Sequence, residues 1–289
     1  MLASISVALR RSCPRTCYSL FARQQHTDTT CDDEKVLVSV DDLGVRRITL
    51  NDTRKRNAMS LALLDRLKTE LLASSEDTAT SVVILRHNGP VFSAGHDLKE
   101  LRAQHGSDSH STIFERCAEV MNLVQDIDVP VIAEVKGVAT AAGCQLVATC
   151  DLAVASDNSV FATPGVFIGL FCSTPGVAVA RAVNRKQALK MLLTGDNITA
   201  QEAFDCGLIN QVVPMDEVEK ASGELAAKIS RHSRAVIGLG KQNFYRQIKE
   251  SRNEAYCLTS SVMVENLTYS DTQEGIDAFF EKRKPKWNN

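Results

Sequence analysis

The sequence predicts an α/β fold closed by a helical C-terminal section. Three observations carry that expectation. Strand, loop and helix segments recur in turn through the middle of the chain, the spacing after "GLINQVVP" is helical throughout, and no low-complexity linker interrupts the series. This spacing fits a flat doubly wound sheet and a spiral of strand–helix turns equally well.

The elements follow in order. "KVLVSV" and "VRRITL" read as strands joined by the turn "DDLG", where Gly44 accepts a positive φ, so they predict a hairpin. "SLALLDRLKTELLASSED" places Leu61, Leu64, Leu67, Leu71 and Leu72 at helical spacing, with Ser60 as N-cap. "SVVILRHNG" reads as a strand, "STIFERCAEVMNLVQDI" as a helix and "VPVIAEVKG" as the next strand, followed by a loop. That loop leads into "TAAGCQLVATCD", a helix behind a run of small residues, and "DLAVAS" reads as another short strand. Four helical segments then run from "DEVEKASGELAAKISRH" to "TQEGIDAFFEKRK". The boundary falls near Pro214, dividing the chain into a leader (1–31), a core (32–214) and a helical C-terminal region (215–289).

The chain has 289 residues, enough for one large domain with or without a small appendage. Its formal charge of -2 gives no global attraction to nucleic acid, and no apolar run is long enough to cross a bilayer. Nine scattered cysteines without a C-x-x-C pair argue for a reducing compartment and against a zinc site. The histidines show no ligand spacing, so no metal is expected. The first thirty residues differ from the rest: Arg10, Arg11, Arg15, Arg23 and several serines occur with no acid before Asp28. That is the composition of a mitochondrial transit peptide, and it predicts the matrix as the destination.

Two segments look built for recognition by backbone. In "GPVFSAGHDLKEL", a strand runs into Ser93, Ala94 and Gly95 and then the polar His96 and Asp97. In "KGVATAAGCQL", Gly137 and the stretch from Ala139 to Gly143 leave a helix start uncrowded. Free N–H groups at a helix start, with the positive end of its dipole, attract developing negative charge. One donor from each segment would form an oxyanion hole. Small residues at a helix start more often serve packing.

Taken together, "FSAGHDLKEL", "GVATAAGCQLVATCDLAVAS" and "FATPGVFIGLFCSTPGVAVARAV" resemble the enoyl-CoA hydratase/isomerase (crotonase) superfamily. The resemblance runs from the first hairpin to about Trp287. It implies a spiral of ββα turns, a helical C-terminal trimerisation region and an acyl-CoA thioester as ligand, with a homotrimer or dimer of trimers as the assembly. By position it makes the backbone N–H groups of His96 and Ala142 the oxyanion-hole donors, although the family usually has alanine and glycine there. It also implies that Arg56 and Ala58 line the adenine pocket with Lys99 nearby, and that Lys282 meets the ribose 3′-phosphate. A point-charge ammonium suits that phosphate. Coenzyme A enters as part of the substrate, so no separate cofactor is expected.

Hydratases of this family add water using two glutamates, and this chain carries Gln145 and Gly165 at those positions. An amide exchanges no proton near neutral pH and glycine has no side chain. General acid–base help is worth roughly 10²–10⁴-fold per group, so ordinary hydration should be weak or absent. An intact oxyanion hole would still contribute on the order of 10²–10³-fold to a reaction through a thioester enolate. His96, Cys172, Ser173 and Thr174 are the polar groups near the expected pocket, each more readily explained by packing. Two classes of function remain: an enzyme of acyl-CoA and fatty-acid metabolism that stabilises an enolate, or a non-catalytic acyl-CoA sensor or assembly partner. Restoring both acids, Gln145→Glu with Gly165→Glu, is expected to raise hydration unless Gly165 has a positive φ that strains a side chain.

Overall fold

A computed structural model describes residues 35–288. The predicted leader, residues 1–31, lies outside the described residues. The first hairpin forms as expected: β1 (Val36–Val40) pairs antiparallel with β2 (Val45–Leu50), and Gly44 turns between them at φ 72°. Helix α1 (Leu61–Glu76) starts at Ser60, whose side chain accepts from Leu63 N at 3.3 Å. Of the predicted stripe, Leu64, Leu67 and Leu71 are buried, Leu61 is half-buried and Leu72 is exposed, while Leu63, outside the predicted set, is buried.

Three ββα turns follow. β3 (Val82–His87) and β4 (Val91–Ser93) precede α2 (Gly106–Asp126). β5 (Val131–Val135) and β6 (Val138–Thr140) precede α3 (Ala142–Thr149). β7 (Leu152–Ser156) and β8 (Val160–Ala162) precede α4 (Ser173–Ala182). The first strand of each turn joins a six-stranded sheet, completed by β10 (Gln211–Val213), in the order β1-β2-β3-β5-β7-β10. The second strand joins a four-stranded sheet, completed by β9 (Ile198–Thr199), in the order β4-β6-β8-β9. The architecture is therefore the spiral rather than the flat doubly wound sheet. The sequence reading treats 131–140 as one strand and a loop; the chain instead breaks at Lys136 and Gly137 and starts a second strand.

The corners between paired strands hold the turns together. Gly137 has φ 146°, and a Cβ there would stand 2.2 Å from the Pro90 carbonyl oxygen, so only glycine lets the second corner press on the first. Lys136 N donates to His87 Nε2 at 3.0 Å and Gly137 N to Ser159 Oγ at 3.1 Å, linking all three corners.

The central strands of the six-stranded sheet, β3, β5 and β7, are buried on both faces, whereas most of β1 is exposed. Val83 and Leu85 of β3 enter the main core with Val131 and Ala133. Val82 and Ile84 point the other way, into a second core with Ile132, Val154, Val218 and Ala226. Helices α5 (Arg185–Thr194) and α6 (Ala200–Asp205) come next, and α7 (Val218–Ser230) supplies that second core. α8 (Arg234–Gln247) is anchored by Lys241, whose Nζ reaches Asp151 at 2.8 Å and donates to the Val124 and Val129 carbonyls. α9 (Arg252–Asn266) buries none of its own residues, and α10 (Ser270–Phe280) ends the helical region.

His87 gives this fold an acid limit. Burial pushes its imidazole pKa down to about 4, and its Nε2 must stay unprotonated to accept from Lys136. The unfolded chain therefore binds more protons between the ordinary histidine range and pH 4, and stability falls as pH drops through that window. The full effect is of order 3 kcal/mol at one pKa unit per 1.36 kcal/mol. His87→Gln, which keeps an acceptor but cannot titrate, is expected to flatten that decline in urea unfolding at stepped pH. An unchanged slope would assign the acid sensitivity to other groups.

Candidate active site

The two segments singled out in the sequence meet at one point. After β4, Ala94 N donates to the Arg56 carbonyl at 3.0 Å and Gly95 O accepts from Met59 N at 2.8 Å, which fixes the 94–96 loop. Opposite it, α3 starts behind Ala141, a non-glycine residue held at φ 49°. A Cβ on Gly143 would lie 2.4 Å from the Ser93 carbonyl oxygen. One on Gly95, at φ 88°, would lie 2.7 Å from Ala141 Cβ and 3.3 Å from Ala142 N. The small residues are thus spent chiefly on bringing two backbones together.

What that approach leaves is a pair of donors. The N–H groups of His96 and Ala142 have no acceptor among the described residues, and both residues border the same cavity. Ala142 is the first residue of α3, so the positive end of the helix dipole adds to its donor. Two N–H groups at one point can hold the charge that develops on a thioester oxygen.

The cavity measures about 560 Å³. Leu98, Leu101, Phe114, Phe167, Leu170 and Phe171 make its wall largely apolar, and no charged side chain among the described residues lines it. Cys172, Ser173 and Thr174 also border it, as the sequence suggested. Burial pushes the Cys172 thiol pKa up, which makes it a poor nucleophile. The aromatic wall was missed in the sequence because Phe114, exposed on α2, carries no motif.

The two positions that lack glutamate differ in place. Gln145 is buried on α3 and is not among the residues lining the cavity; its Oε1 has no hydrogen-bond partner among the described residues. Gly165 borders the cavity in the short helical turn Pro164–Ile168. Its φ is not left-handed, so the obstacle to a side chain is not the backbone strain envisaged from sequence. A Cβ there would instead stand 2.5 Å from the Leu170 carbonyl oxygen and 2.9 Å from Cys172 Sγ. Leu170 N donates back to Gly165 O at 2.9 Å, so the chain itself closes over the space a side chain would need.

His96 has a defined tautomer. Its Nδ1 lies 3.3 Å from the Met59 carbonyl, which can only accept, so Nδ1 carries the proton and Nε2 the lone pair. Burial holds its pKa below the usual histidine range, and the ring packs edge-on to Phe114 at 5.1 Å.

Of the coenzyme A residues expected by resemblance, Arg56 is exposed at φ 55° and Ala58 is buried in the loop that hydrogen-bonds to the 94–96 segment. Lys99 is exposed nearby, its N–H on Asp97 Oδ1 at 3.0 Å, while Lys55 pairs with the same carboxylate at 2.9 Å. Lys282 is exposed at φ 57° after α10 and does not border the cavity. No group of three or more His, Cys, Asp or Glu among the described residues could hold a metal ion.

Residues 41–289 match the profile of the enoyl-CoA hydratase/isomerase family. The mitochondrial enoyl-CoA hydratase domain-containing protein 3 of Rattus norvegicus is 53% identical over 246 residues, covering 85% of this chain and 82% of that protein. The crystal structure of human enoyl coenzyme A hydratase domain-containing protein 3 superposes with a TM-score of 0.86 at 52% identity, covering 88% of this chain and 100% of that one. An enoyl-CoA hydratase from Mycobacterium smegmatis also gives a TM-score of 0.86, at 43% identity, covering 88% and 99%.

The crowding at Gly165 revises the expected effect of restoring the acids. Gly165→Glu should cost about 1–3 kcal/mol as an overpacking change, because backbone rather than a flexible side chain must yield. The double variant Gln145→Glu, Gly165→Glu should therefore melt at a lower temperature and still fail to hydrate crotonyl-CoA at ordinary rates. Wild-type melting together with turnover of about 1–10³ s⁻¹ would show that the loop opens freely.

Proposed function

We propose that this chain, which belongs to the enoyl-CoA hydratase/isomerase family, binds acyl-CoA thioesters and stabilises a thioester enolate without hydrating efficiently. The observation that carries this reading is the pair of unspent N–H donors of His96 and Ala142 beside an apolar cavity. The thioester oxygen sits between the two donors and the acyl chain fills the cavity. The coenzyme A moiety runs past Arg56, Ala58 and Lys99 on the surface side of the hole. Lys282, at the turn after α10, meets the 3′-phosphate, from the same chain or a neighbouring subunit. Coenzyme A is part of the substrate, and the chemistry uses no other cofactor.

Hydration is weak because neither Gln145 nor Gly165 moves a proton and the Leu170 carbonyl occupies the second position. That same closure favours a second reading, in which the chain is a non-catalytic acyl-CoA sensor or an assembly partner of related trimers. The assembly we propose is a homotrimer or a dimer of trimers. α9 buries none of its residues yet exposes Tyr256, Met263 and Val264, and Phe279 and Phe280 stand exposed on α10. No described helix is long and apolar enough to cross a membrane. The protein is mitochondrial, as its relatives are named, and we assign it to the matrix from its Arg-rich leader.

Calorimetric titration with saturated acyl-CoAs, beside turnover of enoyl-CoAs, tests the reading. Binding is expected with hydration far below about 1 s⁻¹. Neutralising Lys282 should weaken coenzyme A thioesters more than their dephospho analogues, and salt should weaken the intact protein in the same direction. Absence of binding to any acyl-CoA would overturn the reading. Equal loss for both ligands would move Lys282 from phosphate binding to folding or assembly.

A further inference from the structure

We propose that His96 is the proton carrier of this site, its Nε2 removing a proton from the carbon next to the thioester of a bound acyl-CoA. The inference rests on the acyl-CoA reading above and goes beyond it, since a stabilised enolate needs a base to form it. Both family acids are gone, and the cavity wall offers no carboxylate.

Four observations bring His96 forward. His96 borders the cavity, and its backbone N–H has no acceptor among the described residues. The Met59 carbonyl at 3.3 Å orients Nδ1 and fixes the neutral tautomer, as an orienting group does for a general base. Nε2 is a buried lone pair without a hydrogen-bond partner among the described residues. Such atoms are uncommon; His87 Nδ1 is another, but His87 does not border the cavity and His96 does. The reach is also right. A thioester oxygen held about 2.9 Å from the His96 nitrogen puts the next carbon within one side-chain length of the same residue. Nε2 is buried, and the His96 ring forms a T-shaped pair with Phe114, which is itself exposed and so can turn aside as an acyl chain enters.

The step balances without an added reactant. The C–H bond breaks and its electron pair becomes the carbon–carbon π bond of an enolate. The oxygen, held by the N–H groups of His96 and Ala142, takes the charge. An N–H bond forms at Nε2, giving imidazolium, which exchanges with solvent and returns a proton to the carbon. Burial keeps the ring neutral, and therefore basic, near neutral pH. The titratable groups around it do not interfere. Asp97, next in the chain, is turned to Lys55 and Lys99 N, and Cys172 across the cavity stays a thiol.

The test is deuterium incorporation at that carbon of butyryl-CoA, measured by mass spectrometry in heavy water with the full chain at saturating ligand. Wild type is expected to exchange well above the uncatalysed rate. His96→Asn, which keeps the backbone N–H and an amide donor toward Met59 but has no base, should lose at least about 10²-fold. In wild type the rate should rise with pH and level off below the ordinary histidine pKa, a profile that a structural role would not produce. Bound butyryl-CoA without exchange overturns the inference and leaves the acyl-CoA reading standing. Undiminished exchange in a folded His96→Asn protein, or a wild-type rate independent of pH, also overturns it. Failure to bind butyryl-CoA or any other acyl-CoA overturns both.

Discussion

The structure depends on one close approach, that of the backbone after β4 to the backbone that starts α3. Gly143 lies against Ser93 and Gly95 against Ala141 at separations that exclude a Cβ on either glycine. Two consequences follow from this single constraint. It pins the first two of the three ββα turns to each other, and it leaves the N–H groups of His96 and Ala142, residues that border the cavity, without an acceptor among the described residues. The energy for holding free donors there comes from elsewhere. The two-sided burial of β3, β5 and β7, and the linked corners at His87, Lys136 and Ser159, make the frame stiff enough to keep them in place.

Around that hole the chemistry has been narrowed rather than removed. Gln145 retains the shape of the expected acid without its proton, and its Oε1 is left without a partner among the described residues. At Gly165 even the space has gone, closed by the Leu170 carbonyl and the Cys172 sulfur. The cavity wall is otherwise largely apolar, and among the described residues that line it His96 alone carries a basic nitrogen. An apolar wall strengthens the electrostatic interactions beside it, because it lowers the local dielectric. Two N–H donors and one neutral imidazole in such surroundings suit proton removal better than addition of water.

Much of this was legible in the sequence, and the reasons are physical. Period-two and period-3.6 patterns gave the first hairpin, α1 and the central strands, and Ser60 marked a helix start that its side chain does cap. Glycine and alanine placement pointed to the two segments, but the choice of His96 and Ala142 within them, like Gln145 and Gly165, came only from the family resemblance. The split of 131–140 into two strands was not legible, because it depends on Gly137 meeting Pro90, residues far apart in sequence. Nor was the closure over Gly165, which arises from a turn folding back on itself. The aromatic part of the cavity wall escaped for the same reason: Phe114 and Phe171 come to line one cavity only in the folded chain.

The central claim is that two backbone N–H groups polarise a thioester carbonyl, and the vibration of that carbonyl reports on it most directly. Isotope-edited infrared difference spectra of butyryl-CoA carrying ¹³C at the thioester carbon would give its stretching frequency free and bound. Hydrogen bonds from His96 and Ala142 predict a shift to lower frequency on binding, as electron density moves onto oxygen. An unshifted band from demonstrably bound ligand would mean that the carbonyl does not sit between those donors, and would contradict the account.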